Sequence, residues 1–249
     1  MNFFALVSGG KDSIYNIINC INKGHKLIAI GHLSPSTQTE IDSYMYQTVG
    51  SEIINAIAEC LGVPLILGTI TKKPVNKDLE YKETKDDEVE DLFDLIKQAK
   101  EKWPEIQAVS SGAIFSTYQK NRVENICERL GLTSLAYLWQ REQNELLSEM
   151  IANNMNSVMV KVCCIGLEKE DLLKSLKELK PKFDKLYSQY KMNVCGEGGE
   201  YETVTLDCDI YKKRIIVDEF EAVTHSKDPI CGVYYAIIKK FHLEEKEKK

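Results

Sequence analysis

The 249-residue chain is 43% hydrophobic and 28% charged, an ordinary globular balance with length for one large domain or two small ones. A formal net charge of −6 argues against a broad nucleic-acid footprint, and no apolar run is long enough to cross a membrane. Neither direct nucleic-acid binding nor a membrane partner is expected. No secretory signal is evident and none of the eight cysteines sits in a Cys-x-x-Cys spacing, so they read as reduced thiols of a cytoplasmic protein.

Residues 3–7, Phe-Phe-Ala-Leu-Val, form a short apolar run that predicts a buried strand. Ile14, Ile17, Ile18 and Ile21 fall on one face of a helix after it. Between them lie Ser8, Gly9, Gly10, Lys11, Asp12 and Ser13. The first N–H groups of a helix lack partners and gather partial positive charge, which favours an anion. Two glycines let a ligand approach the backbone closely, and Lys11 adds a positive charge. The usual Gly-x4-Gly-Lys-Ser/Thr phosphate loop is absent, because Ala5 stands at its first glycine position and Asp12 follows the lysine. A capped glycine turn without a ligand is the competing reading.

A second strand is predicted over 26–33, ending near His32 and Leu33. Ligands of doubly wound sheets sit at the carboxyl ends of strands, so His32 is placed near whatever the first loop holds; the alternative is a solvent-facing loop histidine. Further predictions are a helix over 46–61 with Tyr44 at its entry, a strand over 64–70, and a polar connection over 71–84. That connection is long enough to be mobile or functional. A charged helix over 86–102 follows, then a strand over 106–111 ending in Gly112 and Ala113. The helix over 117–131 carries Tyr118, Gln119 and Arg122 on its first turns, and a fifth strand covers 134–138. Alternating strands and helices predict an α/β fold, a Rossmann-like parallel sheet with helices on both faces. A helix over 142–154, a strand over 158–165 and helices over 172–179 and 181–192 complete the coarse reading. The Asn-rich turn at 153–156 sets the expected domains: 1–153, a smaller α+β domain over 154–243, and a solvated charged tail over 244–249.

The other unusual stretch is Cys195-Gly196-Glu197-Gly198-Gly199-Glu200-Tyr201-Glu202-Thr203. After it, Val204, Leu206, Cys208 and Ile210 alternate with polar residues, which predicts a half-buried strand. Carboxylates beside an anion site have two uses: holding Mg²⁺ against phosphates, or binding ammonium and taking its proton. A polar glycine-rich hairpin without chemistry is the third reading.

The first loop resembles the SGG-x-DS pyrophosphatase loop of the N-type ATP pyrophosphatases, which split ATP between its α and β phosphates. Glu197 to Thr203, the segments 111–119, 122–124 and 138–141, and Gln47-Thr48-Val49-Gly50 together resemble the diphthine–ammonia ligase (diphthamide synthetase) family, from residue 1 to about 235. The Glu-Gly-Gly-Glu-Tyr-Glu-Thr run is the selective part. The resemblance implies an adenine-nucleotide α-hydrolase-like fold, with ATP and Mg²⁺ as cofactors and ammonium as nitrogen source. The implied partner is elongation factor 2 bearing diphthine, a modified histidine whose carboxyl becomes an amide. The extra C-terminal domains of some eukaryotic relatives are not expected here.

On that resemblance, Ser8, Gly9, Gly10, Lys11, Asp12 and Ser13 take the phosphates, Lys11 neutralises the leaving pyrophosphate, and Asp12 helps hold Mg²⁺. His32 and Leu33 flank the adenine, with Gly112 and Ala113 near the nucleotide. Glu197, Glu200 and Glu202, with Gly198, Gly199 and Tyr201, line the ammonium or acceptor side. Tyr44, Tyr118, Gln119 and Arg122 are candidates for holding the modified histidine. The competing functions are a tRNA-thiolating enzyme, which needs reactive cysteines, and a non-catalytic adenine-nucleotide sensor.

Overall fold

The structure, a computed structural model, describes residues 1–35, 49–228 and 231–246. In chain order the first elements are β1 (Asn2–Leu6), α1 (Lys11–Asn22), β2 (Lys26–Pro35), α2 (Ile54–Leu61) and β3 (Leu65–Ile70). Next come α3 (Val89–Lys102), β4 (Ala108–Ser110), α4 (Thr117–Leu130), β5 (Thr133–Leu135) and α5 (Gln143–Ala152). The last are β6 (Asn156–Val162), α6 (Leu176–Tyr190), β7 (Tyr201–Asp207), β8 (Lys213–Ser226) and β9 (Val233–Glu245). By compactness the chain divides into two units. One comprises Met1–Ser8, Asp12–Thr48 and Val63–Gln140; the other comprises Gly9–Lys11, Val49–Gly62 and Arg141–Lys249.

In the first unit five strands form a parallel sheet in the order β3-β2-β1-β4-β5. The order reverses at β1, which has β2 on one side and β4 on the other. This is the switch point where α/β sheets open a crevice at their carboxyl edge. Phe4, Ala29, Leu33, Ile66 and Val109 pack with Leu92, Leu95, Ile96 and Ala99 of α3 and with Val123, Ile126 and Cys127 of α4. Phe3, Ala5 and Ile30 alternate with them toward the other face and are also fully buried. A sheet covered on both faces needs such near-continuous apolar strands, so the expected α/β class with flanking helices is present.

The connection before α3 has no regular structure, yet it is tied down. Asp91 accepts from the backbone N–H of Thr71 and of Lys72 at 2.7 and 3.0 Å. Asp87 accepts from the N–H groups of Val75, Asn76 and Val89. The buried carboxylates of Asp87 and Asp91 hold its backbone. The helix starts at Val89 rather than 86, because Asp86 sits at φ 62°, outside helical backbone.

The second unit carries an antiparallel sheet in the order β7-β6-β9-β8. The helix predicted over 46–61 is here a turn of 3₁₀ helix at Ser51–Ile53 followed by α2; residues 46–48 lie outside the described residues. The two helices predicted over 172–179 and 181–192 are one, α6, which runs through Pro181. A Ser175/Glu178 capping box starts it, and Leu176, Leu179, Phe183 and Leu186 form one buried stripe across the proline. That continuous apolar face outweighs the single backbone hydrogen bond a proline removes. β8 and β9 form a long hairpin that the residue pattern did not reveal. The expected charged tail is shorter than read, because β9 extends to Glu245 and Lys246 pairs with Asp207 at 2.7 Å.

Candidate active site

The Gly-Gly stretch follows β1 and ends as α1 begins at Lys11. In the first unit, the Ser8 and Ser13 hydroxyls approach to 3.4 Å across the turn. Gly112, just past β4, has no room for a side chain: a Cβ there would lie 2.6 Å from the Ser13 nitrogen and 2.7 Å from the Asp12 carbonyl carbon. Those are backbone atoms that cannot swing away. The carboxyl end of β4 therefore presses on the first turn of α1, beside its N–H groups. Ser111 Oγ and His32 Nε2 are both buried without a hydrogen-bond partner among the described residues. Buried polar atoms are rarely left so.

His32 is 3% exposed, which excludes the solvent-facing reading. Its Nδ1 lies 2.8 Å from the Val7 carbonyl oxygen. An oxygen that only accepts requires the proton on Nδ1, leaving Nε2 as an acceptor. Burial pushes the His32 pKa down, against the smaller opposing effect of the Val7 bond, and holds the ring neutral. The Leu33 side chain, by contrast, belongs to the core that packs on α3. Ala113 is buried at 5% exposure.

In the second unit, Gly9, Gly10 and Lys11 meet the glutamate-rich stretch. Gly9 sits at φ 92°, a conformation glycine adopts without strain; its carbonyl accepts from the Thr205 N–H at 2.8 Å. The Lys11 N–H donates to Thr203 Oγ1 at 3.0 Å. Its ammonium donates to the Cys195 carbonyl and lies 5.2 Å from the centre of the Tyr201 ring. Lys11 is 3% exposed. These contacts explain a correction to β7. It was predicted to be half-buried, but Thr203 and Thr205 are buried along with Val204, since their hydroxyls serve the Lys11 backbone and Ser157 Oγ.

The glutamates divide their work. Glu200 accepts from the N–H of Asn193 at 3.2 Å and of Gly198 at 2.8 Å, shaping its own turn. Glu202 pairs with Lys161 at 3.2 Å. Gly198 and Gly199 are exposed at the tip, and Glu197 is half-buried beside them. Tyr201 is buried, donates to the Val194 carbonyl at 2.6 Å and stacks on Phe183. Gln143, which residue patterns did not single out, anchors the entry by accepting from Val194 N–H at 2.8 Å. Among the described residues no three acidic, histidine or cysteine side chains gather as a metal site. Magnesium often relies on one or two carboxylates plus substrate phosphates, and Asp12 is the carboxylate within the loop that fits that pattern.

Tyr118, Gln119 and Arg122 lie on α4 of the first unit. Arg122 is fully buried, donating to the carbonyls of Asn76, Asp78 and Tyr118 at 2.6, 3.1 and 3.2 Å. Its guanidinium stacks 3.2 Å from the Tyr118 ring centre. The pair holds the connection before α3 against α4. Gln119 donates its backbone N–H to the Ser116 cap at 3.3 Å. Gln140, at φ 58°, donates its N–H to the Ile114 carbonyl at 2.8 Å, joining two of the stretches that carry the resemblance. Tyr44 lies outside the described residues.

Comparison with known proteins then gives two family matches. The diphthamide synthase N-terminal domain matches residues 1–134, and the diphthamide synthase C-terminal domain matches residues 142–240. The Mus musculus diphthine–ammonia ligase is 49% identical, over 99% of this chain and 94% of its own length. The Homo sapiens protein of that name is 47% identical over the same shares. The Schizosaccharomyces pombe one is 46% identical over 93% of this chain but 38% of its own length. A solved chain from Methanocaldococcus jannaschii, titled as a predicted subunit of tRNA methyltransferase, aligns at 14% identity and a TM-score of 0.37, over 84% of this chain and 98% of that one.

Proposed function

The chain belongs to the diphthamide synthase family, and from that premise we propose that it is a diphthine–ammonia ligase. It uses ATP and ammonium to convert the carboxylate of diphthine on elongation factor 2 into the amide of diphthamide, in the cytoplasm. A carboxylate is a poor acyl donor. Its oxygen attacks the α phosphorus of ATP, the bond from that phosphorus to the bridging oxygen breaks, and pyrophosphate leaves. Ammonium gives up a proton; the free lone pair of ammonia attacks the acyl carbon, AMP departs, and the new C–N bond loses one more proton.

The observation that carries this reading is the bonding of Lys11 to the glutamate-rich stretch, through Thr203 and Cys195. One residue thus belongs to both signature motifs. Ser8, Gly9, Gly10, Lys11 and Ser13 bind the phosphates, with Lys11 offsetting charge on the departing pyrophosphate. Asp12 holds Mg²⁺ together with the phosphates; the ion supplies charge neutralisation. His32 and the Ser111–Ala113 turn take the nucleoside. Glu197, Glu200 and Glu202 face the ammonium or acceptor side, and Tyr44 and Gln119 act on the modified histidine, while Arg122 and Tyr118 brace the fold.

The thiolating alternative needs reactive thiols, and four of the buried cysteines are poor candidates. Burial pushes the thiols of Cys20 and Cys60 up to about 11 and those of Cys127 and Cys208 up to about 12, so they stay protonated and weakly nucleophilic. The deciding experiment incubates the purified protein with ATP, ammonium and diphthine-bearing elongation factor 2. Amide formation with matching AMP and pyrophosphate is expected. Nucleotide binding without AMP formation in the complete mixture overturns the assignment.

A further inference from the structure

Asn16 lies in the second turn of α1 and is completely buried. A primary amide there must be fully bonded or it destabilises the fold. Its Nδ2 donates to Ser110 Oγ at 2.8 Å and to the Leu135 carbonyl at 2.7 Å, and its Oδ1 accepts from the Tyr137 N–H at 2.8 Å. The orientation of the amide follows from these partners. The Leu135 carbonyl only accepts and the Tyr137 N–H only donates, so the flipped amide sets like against like at both.

The partners are the last residue of β4, the last residue of β5 and the backbone just beyond it. Leu135 also accepts from the Ser111 N–H at 3.3 Å, which ties the two strand ends together. Two residues past Ser110 comes Gly112, whose fit against Asp12 and Ser13 leaves no space for a methyl group. The first turn of α1 and the segment after β4 thus meet backbone to backbone, with no room for a side chain at Gly112. The apolar contacts of Ile14, Ile17 and Ile18 do not set this register, because hydrophobic burial is non-directional. Three directional hydrogen bonds from one amide fix how far α1 slides along its axis.

We propose that Asn16 is a positioning residue for nucleotide binding: it holds the N-terminal turn of α1, where the phosphates of ATP dock, in register with residues 110–112 beside the nucleoside. The inference rests on the nucleotide reading of the loop. Asn16→Asp tests it, since aspartate keeps the size and the acceptor for Tyr137 but turns two donors into an acceptor facing the Leu135 carbonyl. Titration calorimetry with ATP is expected to give a dissociation constant raised roughly 10- to 100-fold, with the KM for ATP rising in parallel and the KM for ammonium unchanged. Ser110→Ala, which removes one arm only, covers the case of an Asn16→Asp chain that does not fold; it is expected to weaken ATP binding roughly 3- to 10-fold. A lowered melting temperature with wild-type ATP affinity in the folded variants overturns the proposal, because a merely structural asparagine behaves that way. Wild-type protein that binds no ATP overturns the nucleotide reading instead.

Discussion

The backbone N–H of Lys11 meets the hydroxyl oxygen of Thr203 at 3.0 Å, across 192 residues of chain. The lysine ammonium also donates to the Cys195 carbonyl and lies over the Tyr201 ring. A residue placed at the phosphate loop by sequence pattern thus also ends inside the glutamate-rich stretch, so its replacement tests both motifs at once.

Lys11→Ala is expected to lower pyrophosphate release roughly 100- to 1000-fold, the effect of removing one donor from a developing anion. Circular dichroism is expected to show a folded chain, because the Lys11 backbone bond to Thr203 survives the substitution. Turnover at the wild-type rate removes Lys11 from the phosphate site.

His32 offers an Nε2 acceptor of fixed tautomer, and the 6-amino group of adenine is a donor. His32→Leu is expected to weaken ATP binding roughly 3- to 10-fold, the loss of one net hydrogen bond. Purine riboside triphosphate lacks that amino group and is expected to bind variant and wild type alike. Fluorescence titration with the two nucleotides reads the difference; unchanged ATP affinity takes His32 out of the pocket.

Arg122 was expected at the substrate, yet its guanidinium is spent on three carbonyls of its own fold. Arg122→Ala is expected to destabilise the protein by about 3 kcal/mol or more, since charged hydrogen bonds contribute about 1.5–3 kcal/mol each. Urea denaturation measures this. If stability holds while the KM for the protein substrate rises, the arginine serves the substrate instead.

Asp171 is a buried carboxylate whose pKa lies below its usual value. Burial raises it, but bonds from Lys182, the Glu168 N–H and Lys174 together outweigh that. A depressed folded-state pKa adds stability above the unfolded-state value, and that stability disappears as pH falls through the folded-state value. Asp171→Asn is expected to lower stability by about 2 kcal/mol at neutral pH and progressively less below pH ~4. Denaturation curves across that range check it; a pH-independent loss contradicts the charged role.

Much of the first unit was legible because its signals are local. Alternating apolar runs and helical stripes announce a parallel sheet with flanking helices, and a glycine pair between two apolar patterns announces the turn from β1 into α1. What misled was equally physical. The connection before α3 looks loose by composition, but Asp87, Asp91 and Arg122 bind its backbone. Pro181 looks like a break, but a continuous buried stripe carries α6 across it. Thr203 and Thr205 look solvent-facing by alternation, but each finds a buried hydroxyl or N–H partner.

By itself the sequence determined the strand–glycine–helix junction and the glutamate-rich turn, since backbone permission and apolar period are properties of a few neighbouring residues. Only the tertiary structure decided what Asn16, Arg122 and Lys11 bond to. Apart from neighbours one helical turn away, their partners lie 44 to 192 residues away, and hydrogen-bond geometry at that separation is set by how the elements pack, not by spacing along the chain.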